Sequence, residues 1–229
     1  MATILKAENI IKYFTTPIKF KALNNISFEI QESEFVTIMG KSGCGKSTLL
    51  YILSTMDTDY EGKMYVDQQL ITGLRQNDLA RLRNANIGFV FQFHYLLPEF
   101  TALKNIMIPA MKLGKYSKQE IEQRAYEKLK LLGIEDQALK PASKLSGGQQ
   151  QRIAIARALI NDPKIIMCDE PTGNLDSKNT SIILETFQQI SKEFNQTIIA
   201  VTHDADFAEA SDRTIEMADG RIINHNLVL

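Results

Sequence analysis

The chain has 229 residues, 44% of them hydrophobic, enough to build one large domain or two closely joined lobes. With 26 Lys and Arg against 27 Asp and Glu, a formal net charge of -1 offers no basic field to draw in nucleic acid or anionic lipid, so a membrane role would run through a partner. The opening MATILKAENIIKYF lacks a basic segment followed by an apolar core, and no stretch approaches the ~18 apolar residues of a spanning helix; secretion is disfavoured and a cytoplasmic protein is expected.

No low-complexity tract, Pro- or Ser-rich linker or internal repeat marks a boundary, so organisation comes from pattern. β-type runs cover Ile4 to Phe14, Ala22 to Ile30 and Phe35 to Met39, the last ending at Gly40 just before a helix-forming run. The segment Gly40 to Thr48, GKSGCGKST, satisfies G-x-x-x-x-G-K-[ST] in the strand, loop, helix setting that motif requires. Gly40, Lys41, Ser42, Gly43, Cys44 and Gly45 form a loop whose N-H groups converge on phosphate oxygens, helped by the helix N-terminus. Lys46 is placed to reach the β and γ phosphates, Ser47 to put its hydroxyl on Mg²⁺, and Thr48 closes the motif. Cys44 reads as a small filler of that loop, not a nucleophile.

Further along, the apolar run Ile87 to Phe91 ends at Gln92. From about Thr101 to Leu132 the period turns helical: Ser117-x-x-Glu120 is a capping box and Ile121, Ala125, Leu129 and Leu132 share one face, which reads as an all-helical insert. LSGGQ, Leu145 to Gln149, opens a helix from Gly147 to Asn161, and Ser146 with two glycines at that N-terminus is a second anion site. A buried strand, Ile165 to Cys168, delivers Asp169 and Glu170 at its C-terminal end, where open α/β sheets bind ligands. Asp169 suits Mg²⁺, and Glu170 suits orienting and deprotonating an attacking water. Both cysteines, Cys44 and Cys168, fall inside these motifs, which indicates a reducing compartment rather than a disulfide. A long helix from Ser177 follows, then a buried strand Thr197 to Val201 with His203 just beyond it, and a short hairpin around Asp219-Gly220 with arms Arg213 to Met217 and Arg221 to Asn224. Alternating strands and helices predict an α/β protein with a parallel core.

The order GKSGCGKST, Gln92, LSGGQ, IIMCDE, Asn174-Leu175-Asp176 and His203 resembles the ATP-binding subunit of an ABC transporter over essentially the whole chain. The resemblance implies a P-loop NTPase core with a mostly parallel sheet, an N-terminal antiparallel β portion and an inserted helical subdomain, all one domain of residues 1–229. Residues 1–92 and 163–229 would form the core and 93–162 the helical part. It implies ATP and Mg²⁺ as cofactors, Gln92 as sensor of Mg²⁺ and water, His203 at the γ-phosphate, and Asn174 to Asp176 as the loop communicating across a dimer. Two copies would pack head to tail, with the signature Ser146, Gly147, Gly148 and Gln149 of one closing over ATP held by Lys46 of the other. The adenine-stacking aromatic matches Tyr13, but Phe14 is adjacent and periodicity does not separate them; one of the two is expected in the core. Lys41 stands where proline or serine is usual, adding positive charge near the phosphates.

Within the family, Phe91 to Pro109, FQFHYLLPEFTALKNIMIP, and DEPTGNLD, Asp169 to Asp176, are similar to ATPases of lipoprotein-releasing systems, and share much with those of macrolide-export, FtsE-type cell-division and bacitracin-resistance systems. Integral membrane permease subunits are the implied partners, at the inner face of the inner membrane, and no nucleic acid is expected. A soluble relative acting on nucleic acid or ribosomes would carry a long coiled coil or a second ATPase unit, and this chain has neither. A subunit that binds without hydrolysing would lack the carboxylate or the histidine, and Glu170 and His203 are both present.

Overall fold

The computed structural model describes residues 2–227. Two long antiparallel strands, β1 (Thr3–Phe14) and β2 (Phe20–Gln31), come first, followed by β3 (Phe35–Gly40), α1 (Lys46–Leu53), β4 (Glu61–Val66), the two-residue β5 (Gln69–Leu70), α2 (Gln76–Asn86) and β6 (Ile87–Val90). Three helices come next, α3 (Ala102–Leu113), α4 (Lys118–Leu131) and α5 (Gly147–Leu159), with short 3-10 turns at 135–137 and 142–144 between the last two. The chain then runs through β7 (Ile165–Asp169), α6 (Ser177–Phe194), β8 (Thr197–Val201), α7 (Ala205–Glu209), β9 (Arg213–Ala218) and β10 (Arg221–Leu227).

The strands form two sheets, one antiparallel in the order β2-β1-β4-β5 and one in the order β10-β9-β3-β8-β7-β6, parallel except for the terminal β9-β10 hairpin. β7 and β8 are buried along their full length, as expected of strands covered on both faces. Because successive side chains point to opposite faces, each strand feeds two cores. Ile165, Met167, Ile199 and Val201 join the antiparallel sheet and α1, while Ile166, Cys168, Ile198 and Ala200 join α3, α4, α5 and α6. A one-residue slip of either strand would exchange the two sets, so register is strongly determined. It brings the C-terminal ends of β3, β7 and β8 side by side, with the loop after β6 next to them.

The helical stretch expected from Thr101 to Leu132 is made of two helices. Gly114 ends α3 in the left-handed conformation (φ 69°), and the Ser117–Glu120 capping box, present in both directions, starts α4. The hairpin turn at Asp219 (φ 48°) and Gly220 (φ 70°) has the positive angles of a type I′ connection. Pattern did not reveal α2, because only Leu79 of its 11 residues is buried and no apolar stripe exists to detect.

Candidate active site at the end of the parallel sheet

The loop between β3 and α1 wraps the start of α1. Gly45 sits at φ 103° as the helix N-cap, and a Cβ there would lie 2.9 Å from the Ala22 carbonyl oxygen, so glycine is required on both conformational and steric grounds. Lys46 is buried, its ammonium donating to the Gly40 (2.7 Å) and Lys41 (3.2 Å) carbonyls, while Lys41, Ser42 and Gly43 face solvent. Cys44 is buried beneath the loop, the filler position expected of it.

β7 ends in Asp169, whose carboxylate accepts from the Ser47 hydroxyl (2.9 Å) and the Tyr51 hydroxyl (2.9 Å). Burial, then the bond to Asp169 and its charge, push the Tyr51 phenol up to about 12, so it remains a donor. Burial and the neighbouring Asp169 also hold the Cys168 thiol well above its ordinary pKa, leaving it protonated and inert. Glu170 follows at φ 46°, a left-handed angle uncommon outside glycine, fixed by its N-H on the Val201 carbonyl (2.8 Å) and its carbonyl on the Gly173 N-H (3.1 Å). Its Oε2 lies 2.9 Å from His203 Nδ1, an ion-pair distance without hydrogen-bond alignment. Gln92 approaches from the end of β6, held by Asn174, whose amide donates to its carbonyl at 3.1 Å.

One cavity of about 900 Å³ is lined by Gly40, Lys41, Ser42, Gly43, Gly45, Lys46, Ser47, Thr48, Gln92, Glu170 and His203, whereas Cys44 and Asp169 are not among its lining residues. Its other wall is Phe14, Phe20, Lys21, Ala22, Asp219 and Gly220. Of the two adjacent aromatics Tyr13 and Phe14, only Phe14 lines the cavity. Tyr13 turns to the other side of β1, under the ammonium groups of Lys19 (4.7 Å) and Lys21 (5.2 Å), while Phe14 faces the cavity and stacks with Phe20, ring centroids 5.4 Å apart. Neither is a core residue, Tyr13 being half-buried and Phe14 exposed. Behind Phe14, Lys12 is buried with its ammonium 5.3 Å from the ring centre. Burial opposes its charge, but Asp57 and Asp59 outweigh that and hold its pKa above the ordinary value.

The signature residues lie elsewhere. Ser146 caps α5 with a full capping box, its N-H donating to Gln149 Oε1 (3.0 Å) and its Oγ accepting from the Gln149 N-H (3.4 Å). Ser146 and Gly147 are exposed, but Gly148 is buried, and a Cβ on it would fall 2.1 Å from Asn179 Oδ1. Asn179 is in turn held by Asp176, the N-cap of α6, through 2.8 and 3.0 Å bonds. None of Ser146, Gly147, Gly148, Gln149 and Asp176 lines the cavity.

The donor set fits Mg-ATP. One hydroxyl (Ser47) and one carboxylate (Asp169) suit a hard cation that arrives with phosphates and keeps its waters, and no cluster of three His, Cys, Asp or Glu among the described residues would hold a metal alone. A glycine loop feeding a helix N-terminus, with a carboxylate pair at the neighbouring strand end, defines a P-loop nucleotide hydrolase. The chain belongs to the ABC transporter family, whose sequence model matches residues 23–173, and is an ATP-binding ATPase of that family. It is 46% identical to the lipoprotein-releasing system ATP-binding protein LolD of Aquifex aeolicus over 223 residues, 97% of each chain. It is also 45% identical to LolD of Cytophaga hutchinsonii, over 97% of this chain and all of that one. Among solved structures, the ATP-binding cassette MJ0796, seen as a dimer in a post-hydrolysis state with ADP and Pi, superposes with a TM-score of 0.91 at 39% identity over 99% of each chain. No helix among the described residues is long and apolar enough to cross a membrane.

Proposed function

We propose that this chain is the Mg-ATP-hydrolysing subunit of a lipoprotein-releasing complex, acting as a head-to-tail pair beneath integral membrane permease subunits at the inner face of the inner membrane. The observation that carries it is the single cavity in which Lys46, Ser47, Gln92, Glu170 and His203 converge. The full-length likeness to LolD proteins supports the cargo. Residues 40–48 would cradle the phosphates, with Lys46 exchanging the Gly40 and Lys41 carbonyls for β and γ oxygens. Ser47, Asp169 and Gln92 would hold Mg²⁺, which neutralises phosphate charge when bound. Glu170 would take the proton of the attacking water, and His203, 2.9 Å away, would steady that carboxylate and face the γ-phosphate. Phe14, rather than Tyr13, would stack on adenine. Ser146 and Gly147, exposed at a helix N-terminus, would close the opposite chain's site, and Asp176 would set the loop between the two sites. The chain would work as one domain, 1–229, with 93–162 as its helical arm.

Contact with the permease would run through residues 93–100. Phe93, Tyr95, Leu97 and Phe100 are all exposed, Phe93 and Tyr95 at 63%, whereas Leu96 alone of this run packs against the core. Beside them a groove of about 470 Å³ is lined by Phe89, Phe91, Tyr95 and Pro109. Apolar side chains left in solvent next to an apolar groove suit a short helix from a partner. Tyr95→Ser with Leu97→Ser is expected to abolish co-purification with the permease subunits while the free chain keeps its ATPase rate. Retained co-purification would move the contact off this segment. The cargo is tested by the rate of the reconstituted complex: lipoprotein is expected to stimulate it, and stimulation by a macrolide or peptide instead would assign the chain to an export system.

A further inference from the structure

The turn after Gln92 is held in an unusual shape from an unexpected direction. His94 (φ 42°) and Tyr95 (φ 47°) both occupy the left-handed region, and the Tyr95 N-H turns back onto the Phe93 carbonyl. Outside a two-residue hairpin turn such as Asp67–Gln68, two consecutive non-glycine residues at such angles are costly and need support from surrounding structure. Here the agent is Arg157 of α5, whose Nη2 donates to the His94 carbonyl at 2.6 Å and Nη1 to the Tyr95 carbonyl at 2.7 Å. The two outer nitrogens of one planar fork thus take two successive carbonyls, a geometry a lysine cannot reproduce. Arg157 is half-buried and no carboxylate among the described residues pairs with it, so its charge is spent on backbone alone. Burial lowers its pKa, and burial together with the Arg157 charge lowers that of His94, which keeps the imidazole neutral.

The placement of Arg157 along α5 gives this contact a use. Ser146 caps the same helix eleven residues earlier, about three turns away on a rigid rod. Two residues before His94, the Gln92 side chain lines the nucleotide cavity and its carbonyl is fixed by Asn174. We propose that Arg157 is a positioning residue that locks the Gln92 turn to α5, so that the glutamine and the Ser146 end of the helix move as one body when nucleotide binds. The proposal rests on the reading that Gln92 meets Mg-ATP and that Ser146 serves the opposite chain's site. Closure of Ser146 over one nucleotide then sets Gln92 at the other, which ties the two sites of a pair together through one guanidinium.

The test uses the full chain with Arg157→Met and Arg157→Lys, in the native background and with Glu170→Gln. Arg157 is not part of the cavity wall, so the dissociation constant for Mg-ATP is expected within about twofold of the parent, whereas misplacement of Gln92 lowers kcat about tenfold or more in Arg157→Met. Arg157→Lys, able to reach one carbonyl, recovers part of the loss. Amide exchange supplies a readout independent of turnover. In the Glu170→Gln background ATP is expected to protect residues 93–95 and the first turn of α5 together, and Arg157→Met to leave only the second protected. Unchanged kcat and unchanged joint protection in Arg157→Met would overturn the proposal. So would a loss of activity that tracks a fall in melting temperature equally in both variants. Failure of ATP to protect the first turn of α5 even with Arg157 intact would instead strike the underlying reading of Ser146.

Discussion

The two anion-binding helix ends of this chain differ in how finished they are. At the start of α1 the loop, Ser47, Gln92, Glu170 and His203 line one cavity within a single chain, and Asp169 adjoins it through its bond from Ser47. At the start of α5, Ser146 and Gln149 satisfy one another, Gly148 is pinned beneath Asn179, and nothing from the cavity approaches. The second end has a complete hydrogen-bonded cap, and none of its residues lines the cavity; in the head-to-tail pair proposed above, a surface of the second chain would complete it. On that proposal, a motif of ligand-binding type is locally complete and still half of a site.

The largest expected effect tests the finished end. Glu170→Gln removes the proposed proton acceptor while preserving shape, so single-turnover hydrolysis should slow by ~10² or more with ATP binding intact. Near-parental turnover would take Glu170 out of the chemistry and leave the cavity without a base. The unfinished end is tested next, by Ser146→Arg, which is expected to bring steady-state hydrolysis to background without touching the P-loop. Mixed with equal Lys46→Ala chains, it should recover about a quarter of parental activity, since half of the dimers are mixed and each has one intact composite site. No recovery in mixed dimers confirmed by mass would mean that each chain completes its own site, erasing the contrast between the two ends. The smallest effect concerns the aromatic wall: Phe14→Ala should weaken ATP binding by about 1 kcal/mol, roughly fivefold, the low end for base stacking because Phe20 remains beside it. Tyr13→Ala should leave the binding isotherm unchanged, and the reverse order would return the role to Tyr13.

The Tyr13 and Phe14 pair shows why part of the site was not legible in sequence. Which of two adjacent strand residues faces a cavity depends on parity, and β1 carries register shifts between Ile10 and Lys12 and again between Lys12 and Tyr13. Each irregularity resets the alternation, so no count along the chain reaches Phe14 with the right sign. Phe20, Asp219 and Gly220 were missed for another reason, lying far from any motif and joining the wall only through strand pairing and the turn beside Ala22. Tyr51 and Arg157 were invisible likewise, since their partners, Asp169 and the carbonyls of His94 and Tyr95, stand 118, 63 and 62 residues away.

What the sequence by itself determined is whatever depends on neighbours along the chain. That includes the glycine loop and its helix, the carboxylates ending a doubly buried strand, the Ser117–Glu120 capping box, and the order of motifs that identifies the family. Local geometry suffices there, because loop, cap and strand end are built from residues within a few positions of each other. Tertiary structure decided which aromatic lines the cavity, that Gly148 is sealed by Asn179, and that the signature helix grips the turn behind Gln92 through Arg157. Those outcomes follow from how the strands register and how the helices pack, and contacts between residues far apart in the chain leave no period in the sequence to be read.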